Sequence, residues 1–189
     1  TLLYTKHTAL KIGMFALERM VQVMEMTQAG MVYADHYQQI DGVQKTAPVI
    51  DYQPGSLRDD FNFGSVLLFN ANAFKEVIEN TEEEYQYAGL YDLRLKISQK
   101  SKLVHINEYL YTEVESDKRK SGEKQFDYVD PKNRQVQIEM EQACTNHLKE
   151  IGGYLYPIFR PVDFSSHTFE YEASVIIPVR NRIRTVKDA

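Results

Sequence analysis

Apolar positions follow two different periods along the first forty residues, and each period predicts its own kind of element. The opening stretch TLLYT is short, apolar and strand-forming. Over residues 10–24 apolar side chains recur at three- and four-residue spacing, which predicts an amphipathic helix ending near Gly30. The run GMVYAD predicts a second, buried strand, and Asp41-Gly42 a turn after it. Strand, helix and strand in this order predict a right-handed crossover and a parallel strand pair.

The middle of the chain continues this alternation of strands and helices. GSVLLF predicts another apolar strand, after which Asn70 is placed to cap a short helix. Residues 90–97 carry apolar side chains on one helical face. KLVHI and YLYTEV read as two further strands. The pattern as a whole predicts an α/β protein.

The last third of the chain contains one strong helix signal and then loses regular periodicity. Asp130-Pro131 predicts a helix start, and Gly152-Gly153 its end. Residues 151–172 predict an extended linker, because two prolines interrupt a stretch with few helix formers. Residues 173–179 form a β-branched apolar run that predicts one more strand. Residues 1–150 are therefore the expected main domain.

Composition narrows the classes of protein to which the chain can belong. It has 189 residues, 43% of them hydrophobic and 26% charged, as in a soluble globular protein. A net charge of -5 argues against a nucleic-acid binder. No stretch reaches the roughly 18 uninterrupted apolar residues of a membrane span. Cys144 is the single cysteine, so the expected compartment is the reducing cytoplasm.

Polar residues near the ends of predicted strands supply candidate binding and catalytic groups. Asp35 ends the second strand, and strand-end acids of α/β folds commonly face a site. Arg58, Asp60 and Asn62 precede the strand GSVLLF and offer several polar groups for hydrogen bonds to a ligand. The alternative for Asp60 and its neighbour Asp59 is a solvated turn.

Four stretches, taken in order, resemble family 2 inverting glycosyltransferases of the GT-A fold. They are TLLYTKHTAL with GMFALERMV, then GMVYADHYQQIDG, FNFGSVLLFNANAFKEV, and YAGLYDLRLKISQKSKLVHINEYLYTEV. The resemblance covers about residues 1–115 and only the second half of such a module. It implies a mostly parallel sheet flanked by helices, incomplete in this chain, and an enzyme that uses a nucleotide-sugar donor and a glycan acceptor. Arg58, Asp60 and Asn62 are then the residues expected to bind the hydroxyls of that acceptor.

The closing stretch ASVIIPVRNR resembles the first strand of another module of this family. The resemblance implies that Pro178 and Asn181 open a nucleotide-binding pocket at the end of that strand. We therefore expect the chain to be a truncated fragment: part of one module, a linker, and at residues 173–189 the beginning of a second. We also expect the strand at 173–179 to pair with the first module's sheet, within the chain or in a strand-swapped homodimer.

The chemistry of sugar transfer requires a divalent cation, Mn or Mg in this family, and a carboxylate base. The resemblance places the metal motif at Thr5-Lys6-His7, where only His7 could act as a ligand. It places the catalytic acid pair at Gly89-Leu90, leaving Asp92 as the nearest carboxylate; the alternative for Asp92 is an ion pair with Arg94 or Lys96. Both departures indicate a catalytically degenerate module.

Three functions remain open from the sequence. The first is a part of a glycosyltransferase acting in polysaccharide or glycoconjugate synthesis. The second is a non-catalytic GT-A-like accessory module, or one that binds the acceptor glycan. The third is an unrelated α/β binding protein.

Overall fold

The computed structural model describes residues 1–115, 134–161, 163 and 165, with the side chain of Glu115 left out of the account. The chain divides into two compact units, Thr1–Tyr154 and Leu155–Ala189. In the second unit, residues 155–161, 163 and 165 contain no helix or strand. The predicted strand at 173–179 and its pairing lie outside the described residues, as do Pro178 and Asn181.

The first unit is a mixed α/β structure. Its strands are β1 (Leu2–Tyr4), β2 (Ala9–Ile12), β3 (Met31–Ile40), β4 (Val43–Ala47), β5 (Val66–Phe69) and β6 (Leu103–Glu115). Its helices are α1 (Ala16–Thr27), α2 (Ala71–Glu79), α3 (Gly89–Lys100) and α4 (Arg134–Glu150). Within the described part of the chain, no helix is long and apolar enough to cross a membrane.

The six strands form one mixed sheet, and this corrects the expectation of a mostly parallel one. The strand order is β1-β5-β3-β6-β2, with β4 paired to the second half of β3. Only β3 and β6 pair in parallel; the other four described ladders are antiparallel. β1 and β3 run in the same direction, as predicted, but they are not paired, because β5 lies between them.

The predicted first helix is too long at its start. Residues 9–12 form β2, which pairs with β6, and the helix begins only at Ala16. Gly13 forces the change of direction: its amide donates to the Leu110 carbonyl at 2.9 Å, and a Cβ there would lie 2.6 Å from that oxygen. Phe15 follows with a left-handed φ of 59° before the helix starts.

Two apolar clusters cover the two faces of the sheet. One, beneath α1, contains Met20, Val32 and Val66. The other contains Met31, Phe69 and Ile97 and lies beneath α3. Met31 and Tyr33 of β3 belong to the cluster beneath α3, whereas Val32 and Ala34 belong to the cluster beneath α1. They alternate because successive strand side chains point to opposite faces. The first half of β3 is thus buried on both sides.

The helices after β5 bear out several predictions made from the sequence. The Asn70 side chain accepts hydrogen bonds from the amides of Asn72 and Ala73 and caps α2. The two strands predicted from KLVHI and YLYTEV are one continuous strand, β6. α4 ends as predicted, where Gly152 adopts a φ of 71° and the Gly153 amide bonds the Leu148 carbonyl. The predicted start of this helix at Asp130-Pro131 lies outside the described residues.

Candidate functional site

A long connection, residues 48–65, joins β4 to β5, and we call residues 48–64 of it the site loop. It is fastened to β3 by the Tyr33 hydroxyl, which donates to the Ile50 carbonyl at 2.9 Å and accepts from the Tyr52 amide at 2.7 Å. Burial raises the pKa of Tyr33, so the hydroxyl keeps its proton for the first of these bonds. The ring of Tyr33 packs edge-on against Phe63. One side chain thus fixes the path of the loop.

A second anchor is a histidine placed between two carboxylates. His105 Nε2 lies 2.9 Å from Asp35 Oδ1, and His105 Nδ1 lies 2.7 Å from Asp51 Oδ1. Asp35 Oδ1 also accepts from the Val49 amide at 2.8 Å. A neutral imidazole has one N–H, so making both bonds needs a second proton on the ring or one on a carboxyl group.

The burial of these two carboxylates separates their roles. Asp35 is 1% exposed and lies where register shifts interrupt the β3–β6 ladder. The side chain of Asp51 is 80% exposed. Asp35 therefore orients His105 and the loop, and it does not itself face solvent as a base would.

A buried arginine on α3 holds the middle of the site loop. Arg94, 4% exposed, donates to the carbonyl of Ser56 at 2.8 Å and to that of Arg58 at 2.7 Å. The Tyr91 hydroxyl donates to the intervening Leu57 carbonyl at 2.5 Å. Three consecutive carbonyls are thus bound by one helix. The Arg94 guanidinium also lies 4.9 Å from the centre of the Tyr91 ring.

The three residues predicted to bind an acceptor line one concavity, which we call the loop hollow. It has a volume of about 240 Å³ and is walled by Arg58, Asp60 and Asn62 together with residues 48–50 and Phe61. Arg58 makes two bonds of 2.8 Å to the Asp60 carboxylate, and these lower the pKa of Asp60. The carbonyl oxygen of the Asn62 side chain accepts from the Gly64 amide.

The position expected to hold a metal contains an internal ion pair instead. The Lys6 ammonium donates to the carboxylate of Glu113, which is 1% exposed, while His7 is exposed. His36 Nε2 lies 3.5 Å from the other Glu113 oxygen. Burial alone would raise the pKa of Glu113, but the hydrogen bond from Lys6 and the proximity of Ser65 and His36 outweigh the effect of burial, so this pKa is lowered.

No metal-binding group of three or more His, Cys, Asp or Glu side chains is present among the described residues. The carboxylate of Glu113 is already neutralised by a lysine, and the Asp35, His105 and Asp51 side chains form a chain and not a converging set. Within the described residues, His7 therefore does not belong to a cluster of three potential metal ligands. A metal at His7 stays a prediction from the sequence.

Asp92 lies apart from the site loop, on the other side of α3. Its carboxylate pairs with Lys96 at 2.8 Å, as the alternative interpretation of the sequence foresaw, and not with Arg94. Burial raises the pKa of Asp92 despite this partner, and the nearby Glu83 adds to the effect. Asp92 and Asp35 share no contact, so the structure does not bring the two candidate catalytic acids together in one site.

Three residues that organise the site were missed from the sequence alone. His105 is not part of any short sequence motif, since the two aspartates that it contacts lie 70 and 54 positions away. Arg94 lies between Leu93 and Leu95 on a helix, and a charged residue between two apolar ones was the only sequence feature that could have drawn attention to it. Asp51 follows a proline-containing loop without any motif.

Comparison with known proteins gives no relative for this chain: no family model matches it, and neither does any curated protein.

Proposed function

We propose that this chain is part of a nucleotide-sugar-dependent glycosyltransferase of polysaccharide or glycoconjugate synthesis. In this proposal residues 1–150 belong to a GT-A-like module that has lost catalysis. The order of the four sequence stretches and the mixed α/β sheet support it. The observation that carries the loss of catalysis is the Lys6–Glu113 ion pair at the position where the resemblance places the metal motif.

The charges at both chemical positions work against transfer. A departing nucleoside diphosphate needs a divalent cation held by carboxylates, and such a cation would compete with the Lys6 ammonium for the single carboxylate of Glu113. A general base needs a carboxylate that reaches the acceptor hydroxyl. Asp92 is buried in its ion pair with Lys96. Catalysis in the parent protein then belongs to the following module, where Pro178 and Asn181 would bind the nucleotide with its Mn or Mg ion.

A second, more specific candidate is acceptor binding by this module. The loop hollow supports it, because Arg58, Asp60 and Asn62 meet there at the scale of a single sugar ring. The side chains of Arg58 and Asp60 are exposed, although they are paired with each other. The site loop behind them is fixed by Arg94, His105 and Tyr33, so binding orders few additional groups.

A thermal-shift titration tests the proposal. Nucleoside diphosphates and UDP-sugars are titrated with and without manganese, and glycans are titrated against the same samples, since any ligand specific to the folded state raises its stability. We expect no manganese-dependent shift with the nucleotides and a shift with glycans that Arg58→Ala abolishes. Lys45→Ala, a change at an exposed residue of β4, serves as the matched control. A manganese-dependent nucleotide shift abolished by Glu113→Gln would return catalysis to this module.

A further inference from the structure

A second concavity adjoins the loop hollow and shares Phe61 with it. This aromatic hollow has a volume of about 230 Å³ and lies between the site loop, the start of α3, and α4. Its walls include Asp59, Phe61, Phe63, Tyr87, Leu90 and Met140. Arg58, Asp60 and Asn62, the residues predicted to bind the acceptor, do not line this hollow.

Residues 58–63 divide between the two hollows. Arg58, Asp60 and Asn62 line the loop hollow, whereas Asp59 and Phe63 line the aromatic hollow, and Phe61 lines both. Residues 59 and 60 form a turn and residues 61–64 belong to no helix or strand, so one short irregular stretch of backbone supplies a wall to each hollow. Phe61 is the partition between them.

The walls of the aromatic hollow are held in place by hydrogen bonds that are buried or partly buried. Arg94 and Tyr91 bind the carbonyls of residues 56–58, at the start of the stretch 58–63 that the two hollows share. Across the hollow, Glu139 of α4 accepts from the amides of Tyr87 and Ala88. These backbone bonds lower the pKa of Glu139, which therefore stays ionised as an anchor. A preorganised site loses less entropy when a ligand binds.

The chemistry of the aromatic hollow suits a neutral ring that carries hydroxyl groups. Tyr87 is 47% exposed as a residue, and its ring offers an apolar surface together with Phe61. The exposed Asp59 carboxylate makes no hydrogen bond or ion pair with any residue that the structure describes, and it can accept bonds from hydroxyls. Arg94 already directs its donors to loop carbonyls, so it does not favour a phosphate there.

We propose that the loop hollow and the aromatic hollow are adjacent subsites for one neutral glycan of at least two pyranose rings, with Phe61 between the rings. This inference rests on the proposed acceptor-binding function and specifies its substrate: an oligosaccharide chain, not a single sugar. The first ring lies against Arg58 and Asp60. The second lies against Tyr87, with its hydroxyls toward Asp59.

Binding as a function of glycan length tests the two-subsite arrangement. Calorimetric titrations use glucose, galactose and mannose, their α- and β-linked disaccharides, and the tetrasaccharides of the same series. For the configuration that binds, we expect a disaccharide to bind about tenfold more tightly than its monosaccharide, the effect of one additional ring-stacking contact. Tyr87→Ala should remove most of this gain and leave monosaccharide binding unchanged, whereas Tyr87→Phe should retain it.

The outcomes separate this inference from the function on which it rests. Monosaccharide binding that Arg58→Ala abolishes, without any gain from a second ring, would overturn the two-subsite arrangement alone. Equal weakening of monosaccharide and disaccharide by Tyr87→Ala would also overturn it. Absence of binding by every sugar would count against acceptor binding and the two subsites together. Thermal melting of each variant shows that it is folded, and Tyr87 is exposed enough for its truncation to be tolerated.

Discussion

Removal of the Arg94 guanidinium should release the site loop and cost the protein a measurable part of its stability. In Arg94→Met, the carbonyls of Ser56 and Arg58 lose their bonds to a charged donor. Each such bond contributes about 1.5 kcal/mol at the lower end of the usual range. The contact with the Tyr91 ring contributes about 0.5 kcal/mol more.

The sum of these contributions is about 3.5 kcal/mol, and burial of the charge opposes it. Folding of the Met variant does not have to transfer a charged guanidinium out of water, and this saving offsets part of the loss. We therefore expect the free energy of unfolding to fall by about 3 kcal/mol. The free energy of unfolding of a natural domain is about 5–15 kcal/mol, so the variant should still fold. Arg94→Lys keeps the charge without the two-pronged donor, and we expect about half the effect.

Urea unfolding followed by circular dichroism measures the change, and amide hydrogen exchange at Val49 and Tyr52 shows whether the site loop has loosened. Both amides are bonded to side chains of the sheet, Val49 to Asp35 and Tyr52 to Tyr33. We expect the midpoint to fall and exchange at these amides to accelerate in Arg94→Met. A loss below about 0.5 kcal/mol, with exchange unchanged, would refute the view that Arg94 fixes the loop.

Three further predictions concern other parts of the fold. Lys6→Met leaves Glu113 buried without its ammonium partner; because Lys6 is 34% exposed, we expect a loss of about 2 kcal/mol at pH 7 in urea unfolding, partly recovered by adding Glu113→Gln. Gly64→Ala places a Cβ 2.2 Å from the Tyr111 hydroxyl at a φ of 74°, and should cost about 3 kcal/mol in the same assay. Burial lowers the pKa of His147, so the unfolded chain binds more protons below about pH 6.5; thermal stability should fall as the pH drops from 6.5, and less so in His147→Gln. An unchanged difference between pH 7 and pH 5.5 in that variant would contradict the assignment to His147.

The elements that could be predicted from the sequence are those whose signals are local. The Asn70 cap, the Asp41-Gly42 turn and the glycine stop after α4 depend on residues a few positions apart. β2 was hidden because Leu10 fits both a helical and an alternating pattern. Only its pairing with β6, a hundred residues later, selects the strand.

The sheet topology and the site anchors depend on distant residues. Nothing near β1 or β3 indicates that β5 lies between them, and its insertion makes the sheet mixed. Arg58, Asp60 and Asn62 could be proposed together because they are neighbours in sequence. Arg94 and His105 could not be connected with them, since their bonds to the site loop span 36 to 54 positions.

The most direct test of the account is a ¹H–¹⁵N correlation spectrum recorded during titration, first with disaccharides and then with UDP-sugars plus manganese. Acceptor binding by a degenerate module predicts that a disaccharide shifts the amides of residues 58–63 and 87–90, without any metal. It also predicts that the nucleotide and manganese leave residues 5–7 and Glu113 unchanged. Unchanged amide signals of the site loop with every glycan, or manganese-dependent shifts around Lys6, would contradict this account.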